Sequence, residues 1–359
     1  MTLSDHIILN GKAISSAEIL NLKADKVADP STPEWENDLY RFLEEWFSES
    51  EFVIAQTSGS TGDPQAIHLP KTTMIQSARR TIEYFKLQEQ NRILLSLPCR
   101  FIAGKMMVVR AIVGQMNLIA VDPSDDFDLL RNESFDFGAM VPNQVFKLLE
   151  SPSGKVKLEN IRNLLIGGSA IPATLEQQIG QLKCRVVSTY GMTETASHIA
   201  IRELSGENRS DIYICLPGIS VSENENGCLQ IHVPELADPL QTNDIAEILS
   251  AMNFRILGRA DDVIISGGIK YHPGTIEKKL EHAITQRFVI SEETDEKLGA
   301  KLVLVIESEP TDIESIQQKI TQLLPAFERP KAIYFLEKFP ETANGKVKRN
   351  EIKSAIHRF

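Results

Sequence analysis

The chain has 359 residues, of which 42% are hydrophobic and 24% charged, the profile of a water-soluble globular protein long enough for two domains. Its 38 basic and 49 acidic residues leave a net charge of -11, which argues against broad binding to nucleic acid or to an anionic membrane. Cys99, Cys184, Cys215 and Cys228 form no C-x-x-C pair, no run is apolar enough to span a bilayer, and MTLSDHIILNGK lacks the pattern of a signal peptide. Idle thiols, no membrane insertion and a cytoplasmic setting are the expectations.

Ser31–Phe47 (STPEWENDLYRFLEEWF) reads as a capped amphipathic helix, with Trp35, Leu39, Phe42, Leu43 and Trp46 on one apolar stripe. From Phe52 to about Gly191, short apolar runs alternate with helical patterns. Strands are expected at FVIA, RILLSLP, NLIAV, FGAMV, RNLLIG and CRVVSTY. Helices are expected over Lys71–Leu87, Ala103–Gln115, Pro142–Glu150 and Pro172–Leu182, the last two opening on proline at a first-turn position. This order predicts an α/β domain with a largely parallel sheet covered by helices.

The texture changes after about residue 205. ISVSENENGCLQIHV predicts a hairpin turning at Asn226-Gly227, and DIAEIL and FRILGR predict further strands, together a small β-rich subdomain. Beyond it, GTIEKKLEHAIT and DIESIQQKITQLL read as helices, and KLVLVIES and KAIYFLEKF as strands. A compact α+β domain is therefore expected over residues 259–359, after an N-terminal domain of residues 1–258.

The familiar nucleotide and hydrolase motifs fail. Gly59 and Gly62 do not make a Walker loop, and there is no G-x-S-x-G or H-E-x-x-H. Four other stretches carry chemistry alongside the loop Thr57-Ser58-Gly59-Ser60-Thr61-Gly62, whose small residues can turn N–H groups and hydroxyls toward a phosphate. In STYGMTETAS, Thr193 and Glu194 follow a strand end, and one carboxylate with a hydroxyl can hold Mg²⁺ beside phosphate oxygens; the bland alternative is a capped turn. In QTNDIAEI, Asp244 stands before an apolar strand, where a carboxylate can accept both hydroxyls of a ribose; a turn aspartate is the alternative. GRADDVIISGG packs Arg259, Asp261 and the pair Gly267-Gly268 into one short span. PETANGKVKR presents Lys346 behind an Asn-Gly turn.

In this order the five stretches resemble the adenylate-forming superfamily of acyl-CoA synthetases, peptide-synthetase adenylation domains and luciferases. Within it, the short N-terminal part and the segments LPCRFIAGKMMVVRAIVGQ and LLIGGSAIP are most similar to the o-succinylbenzoate–CoA ligases of menaquinone biosynthesis. The resemblance implies a large adenylating domain and a small mobile lid. It also implies ATP, Mg²⁺ and CoA as cofactors and a small carboxylic acid as substrate. A carboxylate attacks the α-phosphate of ATP, and the CoA thiol then displaces AMP.

Carried over by motif, Thr57–Gly62 hold the β- and γ-phosphates, Thr193 contacts phosphate and Glu194 holds Mg²⁺. Gly168, Ser169, Ala170, Tyr190, Gly191 and Met192 frame the adenine. Asp244 and Arg259 bind the ribose. Lys346 reaches the α-phosphate, Asp261 is the hinge, and Gly267-Gly268 face the pantetheine channel. A ligase for another aryl or medium-chain acid, and a module loading a carrier protein, remain alternatives.

Two departures stand out. Gln65 replaces the lysine that usually closes the phosphate loop, which predicts weaker ATP binding. The N-terminal region is short, and a homodimer would cover the face this leaves. A substrate with a second carboxylate needs a cation when buried, for which Arg100 and Lys105 are the candidates; their alternative is a pair of charges flanking a helix.

Overall fold

The computed structural model describes residues 4–28, 31–56, 66–124, 127–341 and 347–356. The chain packs as two compact units: residues 1–168, 178–220 and 233–238, and residues 169–177, 221–232 and 239–359.

In the first unit a hairpin of β1 (His6–Leu9) and β2 (Lys12–Ser15) precedes α1 (Ser16–Ala28) and α2 (Glu34–Phe47). The antiparallel pair β3 (Phe52–Gln56) and β4 (Ala66–Pro70) forms a sheet of its own. Then come α3 (Lys71–Phe85), β5 (Arg92–Leu95), α4 (Ile102–Gly114), β6 (Asn117–Ala120), β7 (Phe137–Met140), α5 (Pro142–Leu149), α6 (Pro152–Glu159) and β8 (Asn163–Ile166). After them run β9 (Arg185–Gly191), β10 (His198–Glu203) and β11 (Tyr213–Cys215); α7 (Ala173–Ile179) precedes β9 in sequence, and its residues up to Gln177 belong to the second unit.

Within this unit the main sheet is ordered β11-β10-β9-β8-β7-β5-β6-β1-β2. The pairs from β9 through to β1 are parallel, and β10, β11 and β2 add antiparallel edges. The expected α/β sheet is present. Its strands are short, and the central β7 and β8 are buried at every residue. Chain order reverses around β5, since β6 lies on one side and β7 on the other. Ligands of open α/β sheets bind outside the carboxyl ends of the strands at such a reversal.

The helices end where the backbone turns left-handed. Lys86 at φ 51° closes α3 and Gln115 at φ 49° closes α4, so both stop one or two residues short of the expected ends. Pro142 and Pro152 open α5 and α6, and the Ser151 hydroxyl accepts the Gly154 N–H at 3.2 Å. On α2 the residues Leu39, Tyr40, Phe42, Leu43 and Trp46 are buried, while Trp35 is half-buried and Pro33 at the helix start supplies no side-chain cap. All four cysteines are free and buried. Burial pushes the thiols of Cys184 and Cys215 up to about 11 and about 12, which leaves them unreactive near neutral pH.

The second unit holds strands β12 (Ser220–Glu223), β13 (Cys228–His232), β14 (Leu240–Ser250) and β15 (Asn253–Arg259), adjacent in that order. The first two are joined by the expected turn, with Gly227 at φ 75° donating its N–H to the Asn224 carbonyl at 3.0 Å. The small hairpin β16 (Ile264–Ser266) and β17 (Ile269–Tyr271) turns on Gly267 and Gly268, both at positive φ, 57° and 78°, which two glycines adopt without strain. It is followed by α8 (Pro273–Leu280), β18 (Phe288–Asp295), β19 (Gly299–Glu307), α9 (Ile313–Leu323), β20 (Ala332–Leu336) and α10 (Arg349–Ile356). β19 pairs antiparallel with β18 and parallel with β20. Alternation along β19 serves two cores. Leu302, Leu304 and Ile306 pack with α8 and α9, and Val303 and Val305 with Ile352 and Ile356 of α10.

Candidate active site

The phosphate-loop residues Thr57–Gly62, Gln65 and Lys346 lie outside the described residues. The other predicted site residues divide between the two units.

In the first unit, the carboxyl ends of β5 and β7 are tied together and to the segment after β6. The Ser96 hydroxyl donates to the Ala139 carbonyl at 2.9 Å, and Gln144 donates to the carbonyls of Ser96 and Pro123 at 2.8 and 2.9 Å. Gly168 leaves β8 at φ 90° and is exposed. Tyr190, at the end of β9, lies 5.8 Å from the Tyr213 ring. Gly191 follows, and a Cβ there would lie 2.4 Å from the Ser197 carbonyl oxygen. Only glycine lets the chain fold back so closely.

That fold-back is a single 3₁₀ turn, Thr193–Thr195. Thr195 satisfies it: its hydroxyl donates to the Ser197 carbonyl at 2.6 Å and accepts the Met192 N–H at 3.1 Å. The capped turn therefore exists, but Thr195 caps it. Among the described residues neither the Thr193 hydroxyl nor the Glu194 carboxylate has a side-chain partner, and both are half-buried. This is the donor set Mg²⁺ favours, one carboxylate and a hydroxyl with room for phosphate oxygens. Ala196 closes the turn at φ 60°, an uncommon conformation for a residue with a Cβ.

The candidate substrate cations behave differently from each other. Arg100 is half exposed and lies 3.5 Å from Glu34 and 3.6 Å from Asp38. Burial raises the Asp38 pKa and Arg100 opposes that rise. Lys105 is buried, with 7% of its surface exposed. Its ammonium donates to Glu45 Oε2 and to the Ile54 carbonyl, each at 2.8 Å.

A third cation escaped the sequence reading. Arg110 sits in the middle of α4, is 2% exposed, and among the described residues has no carboxylate within 4 Å. Its Nη2 donates to the Ser197 hydroxyl at 2.6 Å and lies 3.4 Å from His198 Nδ1, while its Nε has no partner. Burial pushes its pKa down to about 9. Burial, and next the Arg110 charge, hold the His198 pKa well below the usual imidazole value, so this ring is neutral at pH 7. Ser197 and His198 follow the Thr193–Thr195 turn after Ala196.

In the second unit Asp244 and Arg259 face each other across β14 and β15, with Arg259 Nη1 donating to Asp244 Oδ1 at 3.1 Å. Asp244 lies inside β14, not before the strand as expected, because pairing with β15 extends it back to Leu240. The Thr242 hydroxyl donates to the Leu229 carbonyl at 2.7 Å and accepts the Asp244 N–H at 3.1 Å, which fixes the TND segment. Asp261 accepts from Asn243 at 3.1 Å and lies 3.5 Å from Arg259. Ser169 and Ala170 also belong to this unit.

A model of the AMP-binding enzyme family matches residues 4–222, more than half of the chain. The chain belongs to that family. It is an adenylate-forming enzyme of the AMP-forming acyl-CoA ligase class. A 2-succinylbenzoate–CoA ligase of Listeria monocytogenes is 26% identical over 334 residues, covering 87% of this chain and 71% of the relative. An indoleacetate–CoA ligase of Aromatoleum aromaticum is 24% identical over 344 residues, covering 85% and 67%. Among solved structures, an acyl-CoA synthetase (AMP-forming)/AMP-acid ligase II-like protein from Dyadobacter fermentans is 34% identical, with a TM-score of 0.61 and coverage of 92% and 97%. The large-plus-small architecture of the AMP-binding enzymes is thus the architecture of this chain. Among its described residues no helix is long and apolar enough to cross a membrane.

Proposed function

We propose that this AMP-binding enzyme converts o-succinylbenzoate to its CoA thioester through an acyl-adenylate, releasing pyrophosphate and AMP. The observation that carries the choice of acid is Arg110. A guanidinium held in an apolar helix with no carboxylate beside it among the described residues is costly. A substrate with two carboxylates supplies the missing charge, since one is activated at phosphate and the other remains an anion to be bound. Lys105 has its charge met by Glu45, and Arg100 is shared between two acidic side chains. We therefore assign the second carboxylate to Arg110, with Ser197 beside it as a further donor.

The remaining roles follow the motifs. Thr57–Gly62 take the β- and γ-phosphates, Thr193 a phosphate oxygen, and Glu194 the magnesium ion, which neutralises phosphate charge when bound. Gly168, Ser169, Ala170, Tyr190, Gly191 and Met192 receive the adenine. Asp244 accepts the ribose hydroxyls and Arg259 orients it. Lys346 neutralises the α-phosphate and the attacking carboxylate. Residues 1–258 are the adenylating part and residues 259–359 the lid, which turns at Asp261 and brings Gly267-Gly268 to CoA. Likeness to an indoleacetate–CoA ligase supports a second reading, an aryl monocarboxylic acid.

Purified protein is given ATP, Mg²⁺, CoA and a panel of acids, with pyrophosphate followed and thioesters identified by mass spectrometry. Thioester from o-succinylbenzoate, in preference to aryl monoacids, is the expected result. Preference for a monoacid overturns the choice of substrate, and pyrophosphate without thioester points to a carrier protein.

A further inference from the structure

Strand β3 leads directly into the phosphate loop, with Ile54 three positions before Thr57. β3 and β4 form a two-stranded sheet, a unit that is marginal by itself in water. On the side away from β4, an exposed strand edge would normally leave backbone groups open. Here one ion pair takes both groups of Ile54. Its N–H donates to Glu45 Oε1 at 2.6 Å, and its carbonyl accepts from Lys105 Nζ at 2.8 Å. Lys105 and Glu45 bind each other at 2.8 Å, which closes a ring of charge-assisted bonds. The ring imitates the paired bonds of a neighbouring strand.

The two side chains are themselves held. The Lys105 ammonium lies 5.0 Å from the Phe42 ring, and α4 begins tightly, since a Cβ on Gly104 would lie 2.4 Å from the Pro98 carbonyl oxygen. Glu45 projects from α2, whose Phe42, Leu43 and Trp46 are buried. A buried ammonium bonded only for stability is a poor bargain against an apolar side chain of the same size. A fixed strand position is what this arrangement provides.

We propose that Lys105 and Glu45 are positioning residues for nucleotide binding: their ion pair stands in for a strand, locks β3 to α2 and α4, and so sets the phosphate loop for ATP. The proposal rests on the phosphate-loop reading of Thr57–Gly62. It also removes Lys105 from the residues that touch the acid.

The test is calorimetric titration of MgATP into the wild-type protein, Lys105→Met and Glu45→Gln, with KM values for acid and CoA measured alongside. Glu45→Gln keeps an acceptor for the Ile54 N–H and loses the charge that holds Lys105, so it decides the matter alone if Lys105→Met fails to fold. The expected result is a tenfold or larger rise in Kd for MgATP in both variants, with acid and CoA KM values within threefold. Amide exchange at Ile54 quickens in parallel. A folded variant that binds MgATP as tightly as wild type overturns the proposal, leaving the pair a stabilising contact only. A rise in acid KM with unchanged ATP affinity overturns it too and returns Lys105 to the acid pocket. Wild-type protein that does not bind MgATP refutes the phosphate-loop reading itself, a separate outcome.

Discussion

Replacing Arg110 by methionine separates a binding cation from a structural one. The guanidinium is 2% exposed, and burial pushes its pKa far below the usual guanidinium value, down to about 9. Because the folded value lies below the unfolded one, the penalty for keeping the charge is fully present at neutral pH and is relieved only above about pH 9. At 1.36 kcal/mol per pH unit that penalty is on the order of 5 kcal/mol. A substrate carboxylate seated against Arg110 recovers part of it. Losing one partner of a buried charge pair costs about 2–5 kcal/mol, which corresponds to a fall in kcat/KM of about 30-fold to about 5,000-fold. An uncharged thioether of similar reach removes the penalty, so Arg110→Met is expected to melt no lower than wild type.

The assay compares kcat/KM for o-succinylbenzoate and for an aryl monoacid, together with the melting temperature. The expected pattern is a large loss for the dicarboxylic acid, a loss under tenfold for the monoacid, and an unchanged or raised melting temperature. Equal losses on both acids, or a collapse of stability, would mean that Arg110 holds Ser197 and the β10 strand in place and binds no substrate. A change of less than threefold for the dicarboxylic acid would refute the assignment outright.

His198 is buried neutral, with a folded pKa well below the unfolded one. Its contribution is therefore fully present above about pH 6.5 and is lost as pH falls below it, by up to about 1.4 kcal/mol per pH unit; urea midpoints between pH 5 and 7.5 should flatten in His198→Asn relative to wild type. In Gly191→Ala the new Cβ meets the Ser197 carbonyl oxygen at 2.4 Å, an overpacking cost of about 1–3 kcal/mol readable by denaturant unfolding, and pyrophosphate release should fall with the displaced Thr193 and Glu194. Glu194→Gln should leave the melting temperature within a degree or two, since the carboxylate holds no described partner, yet raise the Mg²⁺ concentration for half-maximal activity at least tenfold. Asp244→Asn should raise the KM for ATP more than tenfold while costing under about 1 kcal/mol in stability, the usual worth of an ion pair near the surface.

Much of the parallel sheet could be read directly. RILLSLP, FGAMV and RNLLIG are continuous apolar runs bounded by glycine, proline and charge, and buried parallel strands leave that pattern. The first hairpin was missed although Asn10 and Gly11, both at positive φ, carry a turn signal; the strands beside them are four residues each, too short for alternation to register. Helix α6 was missed because PSGKVKLE has no apolar stripe, and its Pro152 and Ser151 cap were the available clues. Asp244 was placed before its strand because TND is polar, and a pairing with β15 that only the folded chain supplies decides otherwise.

The candidate substrate cations cannot be ranked by position alone. Arg100 and Lys105 were chosen because they lie near the loop after β5. Arg110 was passed over within MMVVRAIVG, yet a single arginine inside an otherwise buried helix is itself a signal, since such a charge is seldom buried without a counter-charge. Helix α4 carries two buried cations, and the sequence alone gives no reason to treat them differently. The fold does: α2 brings Glu45 to Lys105, whereas among the described residues Arg110 meets the neutral groups of Ser197, just before β10, and of His198 on it. A cation whose counter-charge lies in its own chain is accounted for by the fold. A cation with no counter-charge among the described residues is one a bound anion could meet, and the Arg110→Met measurement decides whether Arg110 is such a residue.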